Sequence, residues 1–296
     1  MSRPTLSPAT GMLIVTLLWG GNFTATKIAF LEIGPLAFTA LRFALATLVL
    51  WWILGRVEGR QPLPPGALGR LVVLGLVGQS GYQLLFIEGL ARTSATKSAI
   101  ILSTLPIAVT VGAALLRIEV VTARQRWAVI VATLGVAAVL AARGGSIGGP
   151  VGRGDLLLFG AVIAWTAYTL LLRRWALPMS TLALTAWTLY TGTPVLVLTG
   201  LPQLWATDWG AITLKGWGGT LYASLLSLVA AYLLWNRGVA RLGAARAAVY
   251  NTLVPFVAAV LAFLFLHEVP GPLHILGGML IIVGILLARQ APAPEG

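Results

Sequence analysis

Aromatic and amide side chains recur in this chain at spacings that place them on shared helix faces. Trp19, Asn22 and Thr26 lie three and then four residues apart in one apolar stretch, so a helix carries them on one face. Trp165 and Tyr168 repeat this spacing in a second stretch. Aromatic faces stack on flat or apolar groups, and amides hydrogen-bond an ammonium or a carboxylate with little burial of charge. This chemistry is typical of binding a neutral zwitterion with an apolar side chain.

Other polar or aromatic residues lie near the centres of further apolar stretches. An amide deep in hydrocarbon is costly unless it faces protein or water, which favours a functional interpretation for Asn22 and Gln79. For each aromatic residue, packing inside a helix bundle is an equally good interpretation. The residues that we predict to contact a substrate are Trp19, Asn22, Gln79, Tyr82, Ser103, Trp165, Tyr168, Ser227 and Tyr250.

Two prolines occupy matching places in two apolar stretches. Pro106 and Pro255 are predicted to remove helix hydrogen bonds in mid-span and to free carbonyl groups. Their matching placement predicts hinges or gates, and a static kink is the alternative. The many glycines, among them Gly135 and Gly277, are predicted to allow close helix contact.

Charged residues near the predicted span ends need partners. Lys27, Glu32 and Arg42 are predicted to form an electrostatic cluster where the first two spans meet. Glu88 and Arg92 lie four residues apart and are predicted to pair at the end of the third span.

Signatures of catalysis are missing from the sequence. The two histidines, His267 and His274, do not form a His-Glu-x-x-His motif, and the chain has no cysteine, so no metal site is predicted. A serine or threonine with an adjacent base is not apparent, and neither is a phosphate-binding loop. We therefore predict neither an enzyme nor a bound cofactor.

The composition identifies lipid as the solvent. Hydrophobic residues make up 58% of the 296 residues and charged residues 9%, with a mean hydropathy of +0.92. That is too little polar surface for a soluble globule of this size. The net charge of +12 is therefore attributed to positively charged cytoplasmic loops, not to nucleic-acid binding.

Ten apolar runs are long enough to cross a bilayer, which needs about 20 helical residues. If both termini are cytoplasmic, most of the 20 Lys and Arg residues fall on the cytoplasmic side. The predicted spans are residues 11–30, 35–54, 70–90, 95–116, 124–142, 154–174, 180–200, 215–236, 244–265 and 272–289.

The second half of the chain repeats the first. At an offset of 149 residues, Gly89 pairs with Gly238, Pro106 with Pro255, Glu119 with Glu268 and Gly135 with Gly284. Each unit holds five spans, so the second must enter the membrane from the opposite side. We therefore predict an all-α integral membrane protein of ten transmembrane helices, built as two inverted five-helix repeats, residues 1–145 and 146–296. Such repeats are typical of transporters that work by alternating access.

The segment WGGNFTATKIAF in the first span and LRF in the second resemble the EamA-type transporters of the drug/metabolite transporter superfamily. So does the pattern of small residues, proline and a terminal glutamate in the fourth and ninth spans. The resemblance covers residues 11–289 and implies export of amino acids and other small metabolites. The chain is similar to the aromatic amino-acid exporter branch, although it carries Trp165-Thr166 where that family usually has Trp-Gly.

These observations predict an inner-membrane exporter of aromatic or large neutral amino acids. No carboxylate is placed at mid-span, which favours facilitative transport. A proton-driven exporter of drugs or other metabolites is the alternative. The expected partners are a small-molecule substrate and the lipid bilayer, not nucleic acid, and the sequence is compatible with a monomer.

Overall fold

The computed structural model describes residues 6–59, 62–90, 92, 101–102, 104–118, 122–141, 152–254, 256–257 and 272–289. Ser103, which is predicted to contact a substrate, and Pro255, which is predicted to be a hinge or gate, lie outside the described residues.

Within the described residues the regular structure is helical. Two helices change to π-helical geometry in their middle. Helix α3 runs from Ala67–Leu74 through the π-helical Gly75–Gly81 to Tyr82–Leu90, and α8 runs from Leu214–Leu221 through the π-helical Tyr222–Ala230 to Ala231–Leu242. The other segments are α1 (Pro8–Phe30), α2 (Pro35–Val57), α4 (Leu105–Leu115), α5 (Ala123–Ala141), α6 (Arg153–Trp175), α7 (Thr181–Ala206), α9 (Ala244–Tyr250) and α10 (Pro272–Arg289).

Five of the described helices, α2, α3, α6, α7 and α8, are long and apolar enough to cross a membrane. A helix of 23 residues, the length of α2, is about 35 Å long and spans a hydrocarbon core of about 30 Å. The all-helical membrane architecture agrees with the sequence prediction. The count of ten spans stays a prediction.

Local sequence explains where several helices begin. Ser7 precedes Pro8 at the start of α1 and accepts a hydrogen bond from the Thr10 backbone N–H at 3.1 Å. Ser180 caps α7 in the same way, through the Ala183 N–H at 2.9 Å. A serine cap satisfies a backbone donor that the first helical turn leaves free, and proline suits a position that needs no N–H.

The helices pack in pairs that follow the sequence repeat. The repeat matches α1 with α6 and α3 with α8. Helix α1 packs on α8, and α3 packs on α6. Replacing each helix of the first pair by its repeat-matched helix gives the second pair. Helices that the repeat matches directly also pack on each other, namely α2 on α7, α4 on α9 and α5 on α10.

Glycines let α5 and α10 approach closely. A Cβ added at Gly135 would lie 2.7 Å from the Gly277 carbonyl oxygen, and one added at Gly284 would lie 2.9 Å from the Ala128 carbonyl oxygen. The offset of 149 residues that matches Gly135 with Gly284 also matches Ala128 with Gly277. The prediction of close helix contact is thus confirmed at Gly135, and the contact is reciprocal.

Substituting Gly135 by alanine should destabilise the protein, because the added methyl group meets backbone atoms that cannot rotate away. We expect a loss of about 1–3 kcal/mol, as in overpacked cores, measured as thermal unfolding in detergent micelles. Gly69→Ala is the matched control, since a Cβ at Gly69 meets nothing within 4 Å. Equal melting temperatures for the two variants would contradict the packing described here.

Candidate functional site

Aromatic side chains from four helices meet in the middle of the structure. Their rings lie within 6 Å of at least one other member, measured between centroids. We name this group the aromatic cluster; it consists of Trp19 of α1, Tyr82 of α3, Trp165 and Tyr168 of α6, and Tyr232 and Trp235 of α8.

Trp165 is the centre of the aromatic cluster. Its ring centroid lies 4.8 Å from that of Tyr82, 5.6 Å from that of Trp19 and 5.7 Å from that of Tyr232. The rings of Trp165 and Tyr232 cross at 87°, an edge-to-face arrangement that the aromatic quadrupole favours. Only 3% of Trp165 is exposed, whereas Trp19 and Tyr82 are partly buried.

The two tryptophans that the repeat matches differ in hydrogen bonding. The Trp19 indole N–H donates to the Ser227 backbone carbonyl at 3.1 Å. The indole N–H of Trp165 is buried without an acceptor among the residues that the structure describes. Because buried donors are normally satisfied, the Trp165 N–H is a donor available to a ligand.

Tyr168 joins the cluster but uses its hydroxyl group within the protein. The hydroxyl donates to Asn236 Oδ1 at 2.8 Å, and Asn236 Nδ2 donates to Thr185 Oγ1 at 2.8 Å. Thr185 in turn donates to the Thr181 carbonyl at 2.7 Å. This chain of bonds joins α6, α7 and α8, so the Tyr168 hydroxyl serves to position helices.

The two π-helical segments flank the cluster. Gly75–Gly81 contains Gln79, and Tyr82 follows it directly. Tyr222–Ala230 contains Ser227, whose carbonyl accepts from Trp19. Segments of π-helix within α-helices often occur at functional sites, and these two end at Gly81 and Ala230, which match at the predicted repeat offset of 149 residues.

Several buried polar side-chain atoms on helices of the cluster lack a hydrogen-bond partner among the described residues. Gln79 is fully buried, and neither its oxygen nor its nitrogen has a hydrogen-bond partner among the described residues. The same holds for Asn22 Oδ1 and Thr26 Oγ1, both buried atoms on α1. An unsatisfied buried polar group costs about 1–3 kcal/mol, so these atoms are candidate contacts for a polar ligand group.

The remaining predicted site residues have different placements. Ser227 and Tyr250 are buried, and Tyr250 lies in the same hydrophobic core as Trp165. Pro106 is in the first turn of α4, where the missing N–H costs no intrahelical hydrogen bond. Residues 101–102 are also helical and Thr104 forms a turn, so the described helical structure is interrupted just before Pro106, inside the predicted span of residues 95–116; the hinge or gating role of Pro106 stays a prediction.

Two predicted charge contacts had different outcomes. Glu88 and Arg92 form the predicted salt bridge. Glu32 does not pair with Arg42, because its carboxylate accepts from the backbone N–H and the hydroxyl of Thr213, both at 2.7 Å. Arg42 instead lies buried on α2 with its guanidinium 5.3 Å from the Phe38 ring centroid.

Sequence reasoning missed three contributors from α8 to the centre of the structure, Tyr232, Trp235 and Asn236. Counted from Tyr232, Trp235 follows three residues later and Asn236 four residues later, and this spacing places them on one face of the helix. This signal was present in the sequence, but it is shared by many packing residues.

Removing the Tyr168 hydroxyl should destabilise the bundle, because Tyr168→Phe leaves Asn236 Oδ1 without its donor. We expect a loss of about 1–3 kcal/mol, measured as thermal unfolding in detergent. The matched control is Tyr190→Phe, since the buried Tyr190 hydroxyl has no partner among the described residues. A larger loss for Tyr190→Phe than for Tyr168→Phe would contradict this interpretation.

Comparison with known proteins places the chain among transporters. The model of the "EamA-like transporter family" matches residues 6–141 and 152–290. The chain is 28% identical to the uncharacterized transporter YyaM of Bacillus subtilis, covering 94% of this chain and 92% of the relative. It is 29% identical to a probable terminal-alkyne amino-acid exporter of Streptantibioticus cattleyicolor, covering 96% and 94%.

A solved crystal structure shares the fold. It superposes with a TM-score of 0.79 at 18% sequence identity and covers 96% of this chain and 98% of the other. Together with the family match over both halves of the chain, the helical membrane fold leads to one conclusion: the chain belongs to the EamA-like transporter family.

Proposed function

We propose that this transporter exports aromatic or large neutral amino acids across the bacterial inner membrane. The observation that carries this proposal is the aromatic cluster, in which rings from α1, α3, α6 and α8 surround Trp165. The rings suit an apolar or flat side chain. The unpartnered amides of Asn22 and Gln79 suit the ammonium and carboxylate groups of a zwitterion.

The proposed mechanism is alternating access between two inverted five-helix repeats, residues 1–145 and 146–296, with ten spans in all. The exchanged packing of α1 on α8 and of α3 on α6 supports this arrangement. So does the reciprocal contact of Gly135 and Gly284 across α5 and α10. Inverted repeats hold the substrate near mid-membrane and rock around it, and the aromatic cluster lies where the two repeats meet.

A cavity lies at one end of the bundle, and none of its lining residues belongs to the aromatic cluster. It has a volume of about 640 Å³ and lies between the end of α2, the beginning of α7 and the segment before α3. In the predicted orientation this end faces the cytoplasm. Its lining combines the Glu58 carboxylate, which accepts a hydrogen bond from Ser180, with apolar groups such as Trp187 and Met179.

The placement of acidic residues supports facilitative transport over the proton-driven alternative. The five carboxylates in the described residues lie at or near helix ends: Glu32, Glu58, Glu88, Asp155 and Asp208. A proton-coupled carrier commonly uses an ionisable group inside the membrane. Glu119 and Glu268 lie outside the described residues.

The comparisons support transport, not catalysis, because the family and the similar proteins are named as transporters. One relative is named as an amino-acid exporter, which supports the substrate class proposed here.

Transport should depend on Trp165. In proteoliposomes loaded with radiolabelled phenylalanine, tryptophan, leucine, threonine or ethidium, we expect saturable flux of the first three that does not respond to an imposed pH gradient. Trp165→Ala removes the central ring and should lower that flux about tenfold or more. Trp205→Ala is the matched control, because Trp205 is 82% exposed at the end of α7.

Three outcomes would contradict this proposal. Ethidium flux that requires the gradient, without amino-acid flux, would favour the proton-driven alternative. Consumption of the solute with appearance of a new product would indicate an enzyme. Equal loss of flux in both tryptophan variants would show that the aromatic cluster has no special role.

The predicted orientation can be tested with added cysteines, because the chain has none of its own. Leu6→Cys and Ala206→Cys place thiols at exposed positions near the start of α1 and at the end of α7. If the termini are cytoplasmic, a membrane-impermeant maleimide should label Ala206→Cys in cells whose outer envelope, but not inner membrane, has been made permeable. It should label Leu6→Cys only after the inner membrane is lysed. The reverse pattern would reject this orientation.

A further inference from the structure

Arg42 is a buried cation inside a membrane span. It is the eighth residue of α2, which begins at Pro35, so it lies about 10 Å along the helix axis from that end. Only 4% of the residue is exposed. A charged side chain at such depth is costly and commonly marks a functional site.

Aromatic rings surround the Arg42 guanidinium. Its central carbon lies 5.3 Å from the Phe38 ring centroid and 5.4 Å from that of Phe43. Helix α2 packs on the π-helical segment Tyr222–Ala230 of α8 and contacts the Tyr82–Leu90 part of α3, and these two helices supply Tyr232 and Tyr82 to the aromatic cluster. Arg42 therefore lies on a helix that packs against two of the helices that form the aromatic cluster.

No counter-ion for Arg42 is found in the part of the chain that the structure describes. Its Nε has no hydrogen-bond partner there, and the salt bridge found there joins Glu88 and Arg92 instead. Cation–π contacts lower the energy of a guanidinium, but they leave its N–H groups unsatisfied.

The described carboxylates are already used elsewhere. Glu32 accepts from Thr213. The other four are engaged at helix ends: Glu58 with Ser180, Glu88 with Arg92, Asp155 with the Gly152 N–H and Asp208 with the Gly210 N–H.

We infer that Arg42 binds the carboxylate of the substrate while the aromatic cluster receives the substrate's apolar side chain. Guanidinium presents a planar fork of N–H donors that matches a carboxylate, which satisfies both charge and hydrogen bonding at once. This inference rests on the proposed function, and it extends that function by assigning the anionic group of the substrate to one residue. It also generalises the substrate class to apolar carboxylates, with or without an ammonium group.

The test measures which substrate group the site requires. Full-length protein in lipid nanodiscs is titrated by calorimetry with phenylalanine, 3-phenylpropanoate, phenylalanine amide and phenethylamine. The first two carry a carboxylate and the last two do not. We expect both carboxylates to bind, and the amide and the amine to bind at least about tenfold more weakly, since losing hydrogen bonds between charged groups has that effect.

The variants assign this discrimination to Arg42. Arg42→Gln should bring the affinities of phenylalanine and its amide to within about threefold of each other, and Arg42→Lys should retain part of the difference. Arg56→Gln is the matched control, because Arg56 lies on the same helix and contacts a ring, Trp52, but is exposed. The Arg56→Gln variant should prefer phenylalanine over phenylalanine amide by the same factor as the unmodified protein.

The outcomes separate this inference from the proposed function. Equal binding of phenylalanine and its amide by the unmodified protein would overturn the role of Arg42 and leave amino-acid transport intact, even if Arg42→Gln fails to fold. Binding of 3-phenylpropanoate without phenylalanine would retain the anion site and reject the amino-acid assignment. Failure of both carboxylates to bind, or undiminished discrimination in a folded Arg42→Gln, would also overturn the inference.

Discussion

Helices in a bilayer gain no hydrophobic free energy by exchanging lipid for one another, so close backbone contact must hold them together. In this transporter glycines provide that contact. Gly135 and Gly284 bring α5 and α10 together through equivalent backbone atoms. Gly89 packs on Leu158, and Gly238 packs on Met12, which are the corresponding contacts of α3 with α6 and of α8 with α1. The remaining architecture depends on these approaches, because they decide which helices are neighbours.

The aromatic cluster is a consequence of this packing. Once α1 lies on α8 and α3 on α6, the rings on their inward faces meet around Trp165. The polar ends of two of those side chains are tied to other helices, Trp19 to the Ser227 carbonyl and Tyr168 to Asn236. Other polar groups nearby, such as the Trp165 N–H and the Gln79 amide, have no partner among the described residues. The centre of the structure thus combines packed aromatic rings with a few polar atoms that have no partner among the described residues.

Part of this site could be predicted from the sequence. Spacing predicts a shared face for Trp165 and Tyr168 and a second one for Trp19, and Tyr82 lies near the centre of an apolar stretch; all four residues are in the cluster. Their assignment to a substrate stays a prediction. Trp235 was not selected, because an aromatic residue on an apolar helix has the same pattern whether it packs or binds. The pairing of Glu32 with Thr213 was not predictable either, since it depends on a residue far away in the chain.

The sequence by itself determined that lipid is the solvent, that the regular structure is helical, and that the two halves are related by a repeat. These properties follow from composition, from the length of apolar runs and from residue spacing, all of which are local or periodic. Only the tertiary structure decided which polar groups are satisfied and which are left open. Trp19 and Ser227 are 208 residues apart, and Tyr168 and Asn236 are 68 apart. A hydrogen bond requires its two atoms within about 3 Å of each other, and for residues so distant in sequence only the packing of the helices can bring them there.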